Sequence, residues 1–123
     1  MLGIDYGDKR VGLALAELGS MAIPYKILAN SADLFSELEK IISQENISLI
    51  VVGLPHSFSG QSNDRLEITQ NFIADLKKHF SLEIVTVDEQ MTSVLYEKQG
   101  VKKDLDKYSA AAILETYLST HSL

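Results

Sequence analysis

The sequence predicts an α/β fold on a five-stranded mixed sheet, and three of its features do so. Three extended segments follow one another at the amino end with only short turns between them, the pattern of an antiparallel meander. Residues 47–54 form the most apolar run in the chain, the mark of a central strand buried on both faces. Helical periodicity then alternates with strand-like segments, the order that parallel crossovers require.

Residues 1–6 and 10–16 read as strands joined at Gly7-Asp8, and residues 23–29 as the third. Ser31 is placed to cap a helix running to about Gln44, in which Leu34, Phe35, Leu38, Ile41 and Ile42 recur at three- and four-residue steps. The apolar run 47–54 ends in Gly53-Leu54-Pro55, and the polar stretch 56–62 is a loop. A second helix is expected from Asn63 or Asp64 to about His79, with Leu66, Thr69, Phe72, Ile73, Leu76 and Phe80 on one stripe. A short strand at 82–87, a helix at 92–98 and, after Gly100, a last helix at about 105–118 complete the order βββαβαβαα. The first three strands are expected to be antiparallel and the later two to join through right-handed crossovers, with helices on both faces.

At 123 residues the chain is read as a single domain, 1–123. Its 46% hydrophobic and 23% charged residues, with only 2 prolines, place it among globular rather than disordered chains. The absence of cysteine excludes a disulfide framework, a cysteine zinc site, an iron–sulfur cluster and a thiol nucleophile. No apolar run reaches the roughly 20 residues of a membrane-spanning helix, and the amino end reads as a strand rather than a basic signal segment. The expectation is a cytoplasmic protein with no membrane association. Seventeen acids against eleven Lys and Arg give a formal charge of −6, which weighs against coating long stretches of phosphate backbone. The cations are unevenly placed, however: Lys9, Arg10, Lys98, Lys102, Lys103 and Lys107 fall near three acidic positions, leaving a local basic rim compatible with the acidic total.

The first of those positions is Asp5, within Leu2-Gly3-Ile4-Asp5-Tyr6. A carboxylate pointing into a buried sheet is costly unless neutralised, protonated or bound to a metal; an Asp at a strand end can instead bond the following turn. Asp88 and Glu89 end a second strand, and because successive strand residues face opposite ways, at most one of them faces Asp5. Asp106 lies near the start of the last helix, sharing its face with Ser109, Ala110 and Ile113, small enough in part to let the helix approach a sheet closely. Helix capping is the competing role for these later acids. Three carboxylates brought together could not all ionise at close range without a cation. Oxygen donors alone favour Mg²⁺ or Mn²⁺, and two such ions about 4 Å apart suit phosphodiester hydrolysis.

Gly3-Ile4-Asp5-Tyr6-Gly7 with Lys9-Arg10 and Gly12, then Ile50-Val51-Val52-Gly53-Leu54-Pro55 with Gly60, then Val87-Asp88-Glu89, and Asp106 ahead of Ala110-Ala111-Ala112-Ile113-Leu114 together resemble the YqgF/RuvX family. The resemblance spans almost the whole chain, with all four motifs in order. It implies an RNase H-like fold and the activity of a Holliday junction resolvase or of a nuclease acting on the 5′ end of pre-16S rRNA. By the same resemblance Asp5, Glu89 and Asp106 are the catalytic, metal-binding acids. Lys9 and Arg10 fall beside Asp5, and Lys102, Lys103 and Lys107 beside Asp106, placed to contact the substrate backbone; ordinary solvated surface charge is the competing role for each. Two departures bear on substrate binding: Gln90 stands where the family has Arg, and the segment 100–105 is shorter than the family's basic stretch.

The expected partner is therefore nucleic acid, either pre-rRNA or a four-way DNA junction. Symmetric cutting of a junction calls for a two-fold homodimer, whereas end trimming does not. A noncatalytic RNA- or protein-binding module of the same fold is the alternative. A nucleotide phosphotransferase is the third class, since residues 3–7 are also similar to the phosphate-binding hairpin of the actin, Hsp70 and sugar-kinase group, but those proteins close two such domains around ATP and this chain has no P-loop pattern.

Overall fold

The computed structural model describes residues 1–17, 20–55, 64–88 and 105–121, with side chains for all of these except 105–107 and 121. Five strands, β1 (Leu2–Tyr6), β2 (Arg10–Leu15), β3 (Ile23–Ala29), β4 (Leu49–Leu54) and β5 (Glu83–Asp88), form one sheet in the order β3-β2-β1-β4-β5. The helices are α1 (Leu34–Gln44), α2 (Asp64–His79) and α3 (Leu105–His121). As expected, β1, β2 and β3 pair antiparallel, and β4 pairs parallel with both β1 and β5. The helix expected at 92–98 lies outside the described residues.

Strand alternation divides the core into two unlike halves. Leu2 and Ile4 of β1, Val11 and Leu13 of β2, and Ile50 and Val52 of β4 point to one side, where they pack with Leu34, Leu38 and Ile41 of α1 and Phe72, Ile73 and Leu76 of α2. The opposite face presents Ala14, Ala16, Ala22 and Val51 to Ala110, Ala111, Ile113, Leu114 and Leu118 of α3. Small side chains on both partners let α3 come close to the sheet. Gly3 marks the contact, for a Cβ there would lie 2.6 Å from Leu114 Cγ and 2.8 Å from the Ala110 carbonyl oxygen.

Two expected boundaries are corrected. Ser31 does not cap α1: its carbonyl accepts from Leu34 N at 3.1 Å and its Oγ from Asp33 N at 3.3 Å, making a separate turn, and the helix begins at Leu34 behind Asp33. The fourth strand begins at Leu49 rather than 47. Asn46 takes a left-handed φ of 54°, and Ile47 N bonds back to Ile42 O at 3.0 Å, so Ile47 closes the helix end before the strand starts. Among the described residues no helix is long and apolar enough to cross a membrane.

Candidate functional site

Asp5 occupies the carboxyl-terminal half of β1, on the same face as Gly3 and therefore on the side covered by α3. Its neighbours across the sheet are glycines on both sides. Gly12 is its direct partner on β2, and Gly53 lies one residue past the Ile4–Val52 pair on β4. Neither carries a side chain that could cover the carboxylate. On the opposite face the next residue, Tyr6, stacks on Phe72 of α2 with ring centroids 4.0 Å apart, fixing this end of the strand.

The two buried polar residues among those described differ sharply in how they are satisfied. Thr69 donates its hydroxyl to Arg65 O at 2.9 Å within α2. Asp5 is 9% exposed, and its Oδ1 is buried with no hydrogen-bond partner among the described residues. A carboxylate oxygen left this way in a folded protein calls for a partner that the described chain does not supply, and a cation meets that need by charge as well as coordination. The alternative role for Asp5, bonding the turn that follows it, is not seen for this oxygen.

Helix α3 runs away from the end of β1 that holds Asp5. Ala110 and Leu114 bracket Gly3, while Glu115 Oε1 accepts from Ala22 N at 3.1 Å beside the Leu15–Ile23 end of the sheet. The helix is thus antiparallel to β1, with its first turn directed toward the end that holds Asp5. Asp106 belongs to that first turn, one helical turn before Ala110, which packs on the sheet.

Strand β5 resolves half of the remaining ambiguity. Val85 and Val87 pack on the α3 side, whereas Ile84 packs with the cluster under α1 and α2. Asp88 is exposed and shares the parity of Ile84, so it does not belong to the face of Asp5. Glu89, Lys102 and Lys103 lie outside the described residues, and of Lys107 only the backbone, in α3, is described. Among the described residues no group of three or more acids or histidines is complete enough to hold a metal.

Lys9 is exposed in the β1–β2 turn. Arg10 opens β2, two residues before Gly12, and so has the parity of Asp5 on the α3 face. Sequence reasoning did not single out Asn30, which donates through Nδ2 to Gly7 O at 2.7 Å; an Asn after a strand reads as an ordinary turn residue.

Comparison with known proteins bears on the family and the fold. A relative from Sulfurihydrogenibium sp. (strain YO3AOP1), provisionally named pre-16S rRNA nuclease, is 36% identical over 128 residues, covering 96% of this chain and 88% of the relative. One of the same name from Maridesulfovibrio salexigens is 38% identical over 131 residues, covering 97% of each. The fold is shared with T. thermophilus RuvC, solved in complex with a Holliday junction substrate, at a TM-score of 0.58, 12% identity and coverage of 98% of this chain and 96% of that one. The fowlpox virus Holliday junction resolvase superposes with a TM-score of 0.56 at 9% identity, covering 97% of both chains. The fold is therefore RNase H-like, of the kind these resolvases have. The family model described as RuvX: Holliday junction resolvase matches residues 1–120, and the chain belongs to that family.

Proposed function

We propose that this chain is a metal-dependent nuclease that hydrolyses phosphodiester bonds of structured nucleic acid, with the 5′ end of pre-16S rRNA as its first substrate and a four-way DNA junction as its second. The observation that carries the reading is the buried Asp5 carboxylate, its Oδ1 without a partner among the described residues, on a central strand between Gly12 and Gly53. Membership of the family and the names of its relatives support the substrate class.

Asp5, Glu89 and Asp106 are the residues proposed to hold Mg²⁺ or Mn²⁺. Asp88 is exposed with the parity of Ile84, off the face of Asp5, which weighs against Asp88 as the second acid. The donor set fits, since carboxylate oxygens alone select a hard cation. A cation held by these acids would supply activation of a water and charge stabilisation for the leaving oxygen of the phosphodiester. The protein's part is positional. Asp5 sits on a strand paired along both edges, so its carboxylate is held without loop rearrangement, and the flanking glycines leave room for a phosphate to approach. Lys9, Arg10, Lys102, Lys103 and Lys107 supply cations for the substrate backbone. No residue is required to form a covalent link to the substrate.

The test compares wild-type cleavage of a labelled precursor rRNA 5′ leader and a labelled four-way junction in Mg²⁺, Mn²⁺ and EDTA. Cutting of the leader that EDTA abolishes is the expected result. Cutting of the junction alone moves the substrate to DNA and brings with it the two-fold homodimer that symmetric cutting needs. No cutting of either overturns the nuclease reading in favour of a noncatalytic binding module, which Gln90 at the family's Arg position would favour.

A further inference from the structure

The turn that follows β1 is held from two directions. A Cβ at Gly7 would lie 2.6 Å from the Arg10 carbonyl oxygen, so the backbone closes too tightly there for a side chain. From outside the hairpin, Asn30 donates its backbone N–H to Lys9 O at 2.9 Å and its side-chain Nδ2 to Gly7 O at 2.7 Å. The first bond continues the β2–β3 ladder past the Arg10–Ala29 pair. The second reaches the end of β1, two residues from Asp5, and no ladder requires it.

We propose that Asn30 is a positioning residue for nucleic-acid binding: by tying both ends of the Gly7–Lys9 turn to β3, it holds Lys9 and Arg10 beside Asp5, where they meet the phosphate backbone. The proposal rests on the nuclease reading above. Its physical basis is preorganisation. A long cationic side chain loses freedom on meeting a phosphate, and a turn already fixed in the free protein reduces what must be ordered on binding. The salt dependence of binding reports how many phosphates the chain neutralises, so the loss of an ordered cation lowers its slope.

The experiment measures binding of a fluorescent precursor rRNA 5′ leader and a four-way junction by anisotropy across a salt series in EDTA, with cleavage kinetics in Mg²⁺ alongside. The chains compared are wild type, Asn30→Ala, the Lys9→Ala/Arg10→Ala pair, and the triple variant. Asn30→Ala is expected to weaken binding about 3- to 10-fold, the loss expected for one poorly ordered long side chain, with the effect falling on KM more than on kcat. Its salt slope should fall by up to about 1, and in the Lys9→Ala/Arg10→Ala background it should add less than a further about twofold loss. If Asn30→Ala does not fold, Asn30→Ser keeps a turn-compatible residue and removes the amide donor. Binding equal to wild type, or an equal loss with and without Lys9 and Arg10, overturns the proposal while leaving the nuclease reading standing. Failure of the wild type to bind either nucleic acid overturns both.

Discussion

Helix α3 rests directly on the backbone of β1: the Cβ position of Gly3 lies 2.8 Å from the carbonyl oxygen of Ala110. A backbone oxygen in mid-helix cannot swing aside as the tip of a flexible side chain can. Gly3→Ala should therefore push α3 outward, costing about 1–3 kcal/mol as overpacking does, and thermal unfolding should show a Tm lower by several degrees. Because Asp106 leads the same helix, cleavage should fall as well, at temperatures where the variant is still folded.

Asp5→Asn should leave thermal stability at or above that of wild type without metal, since it removes a buried charge whose Oδ1 has no partner among the described residues. The difference between the two chains should invert with metal. Mg²⁺ or Mn²⁺ is expected to raise the wild-type Tm, by binding the folded state alone, and to leave Asp5→Asn where it was. Thermal melts with each ion and with EDTA make the comparison.

The stack of Tyr6 on Phe72 links the end of β1 to α2, and Phe72 is nearly fully buried. Phe72→Ala should cost about 3–5 kcal/mol, as loss of a buried aromatic does. Phe72→Leu should cost less, yet slow cleavage more than an equally destabilising substitution at Ile41, because Tyr6 adjoins Asp5 and Ile41 does not. Denaturant unfolding paired with single-turnover rates separates the two effects.

Burial lowers the pKa of the Met1 amine below its ordinary 8.0, with the Glu17 charge opposing the shift, while the amine donates to Ala16 O at 2.7 Å. Between the folded value and 8.0 the unfolded chain binds more protons than the folded one, so stability rises with pH across that interval and is lost as pH falls through the folded value. In the chain beginning at Met1, Tm should be slightly higher at about pH 9 than at about pH 7 on this account, and acetylation of the amine should remove that increment.

Much of this molecule is legible in its sequence because the decisive signals are local. The apolar run ending in Gly53-Leu54-Pro55 announces β4, and the stripe through Phe72 and Leu76 announces the buried face of α2. Asp5 stands out because a carboxylate is an expensive residue in such a strand. What is not legible depends on register and distant pairing. The glycines beside Asp5 come from positions 12 and 53 and become its neighbours only once β2 and β4 align on β1. Asn30 meets Gly7 across 23 residues. That Asp88 lies off the face of Asp5 is told only by the packing of Val85 and Val87 against the α3 side. Ser31 misled for a related reason, since its hydroxyl serves a turn before the helix instead of the helix itself.

The proposed role of Asp5 as the anchor of the chemistry is open to test by single-turnover cleavage of the precursor rRNA leader in Mg²⁺ by wild type, Asp5→Asn and Asp106→Asn. Wild type should cut, and each near-isosteric variant should lose at least about a thousandfold in rate with folding and nucleic-acid binding retained. Cleavage by Asp5→Asn at the wild-type rate would contradict that role.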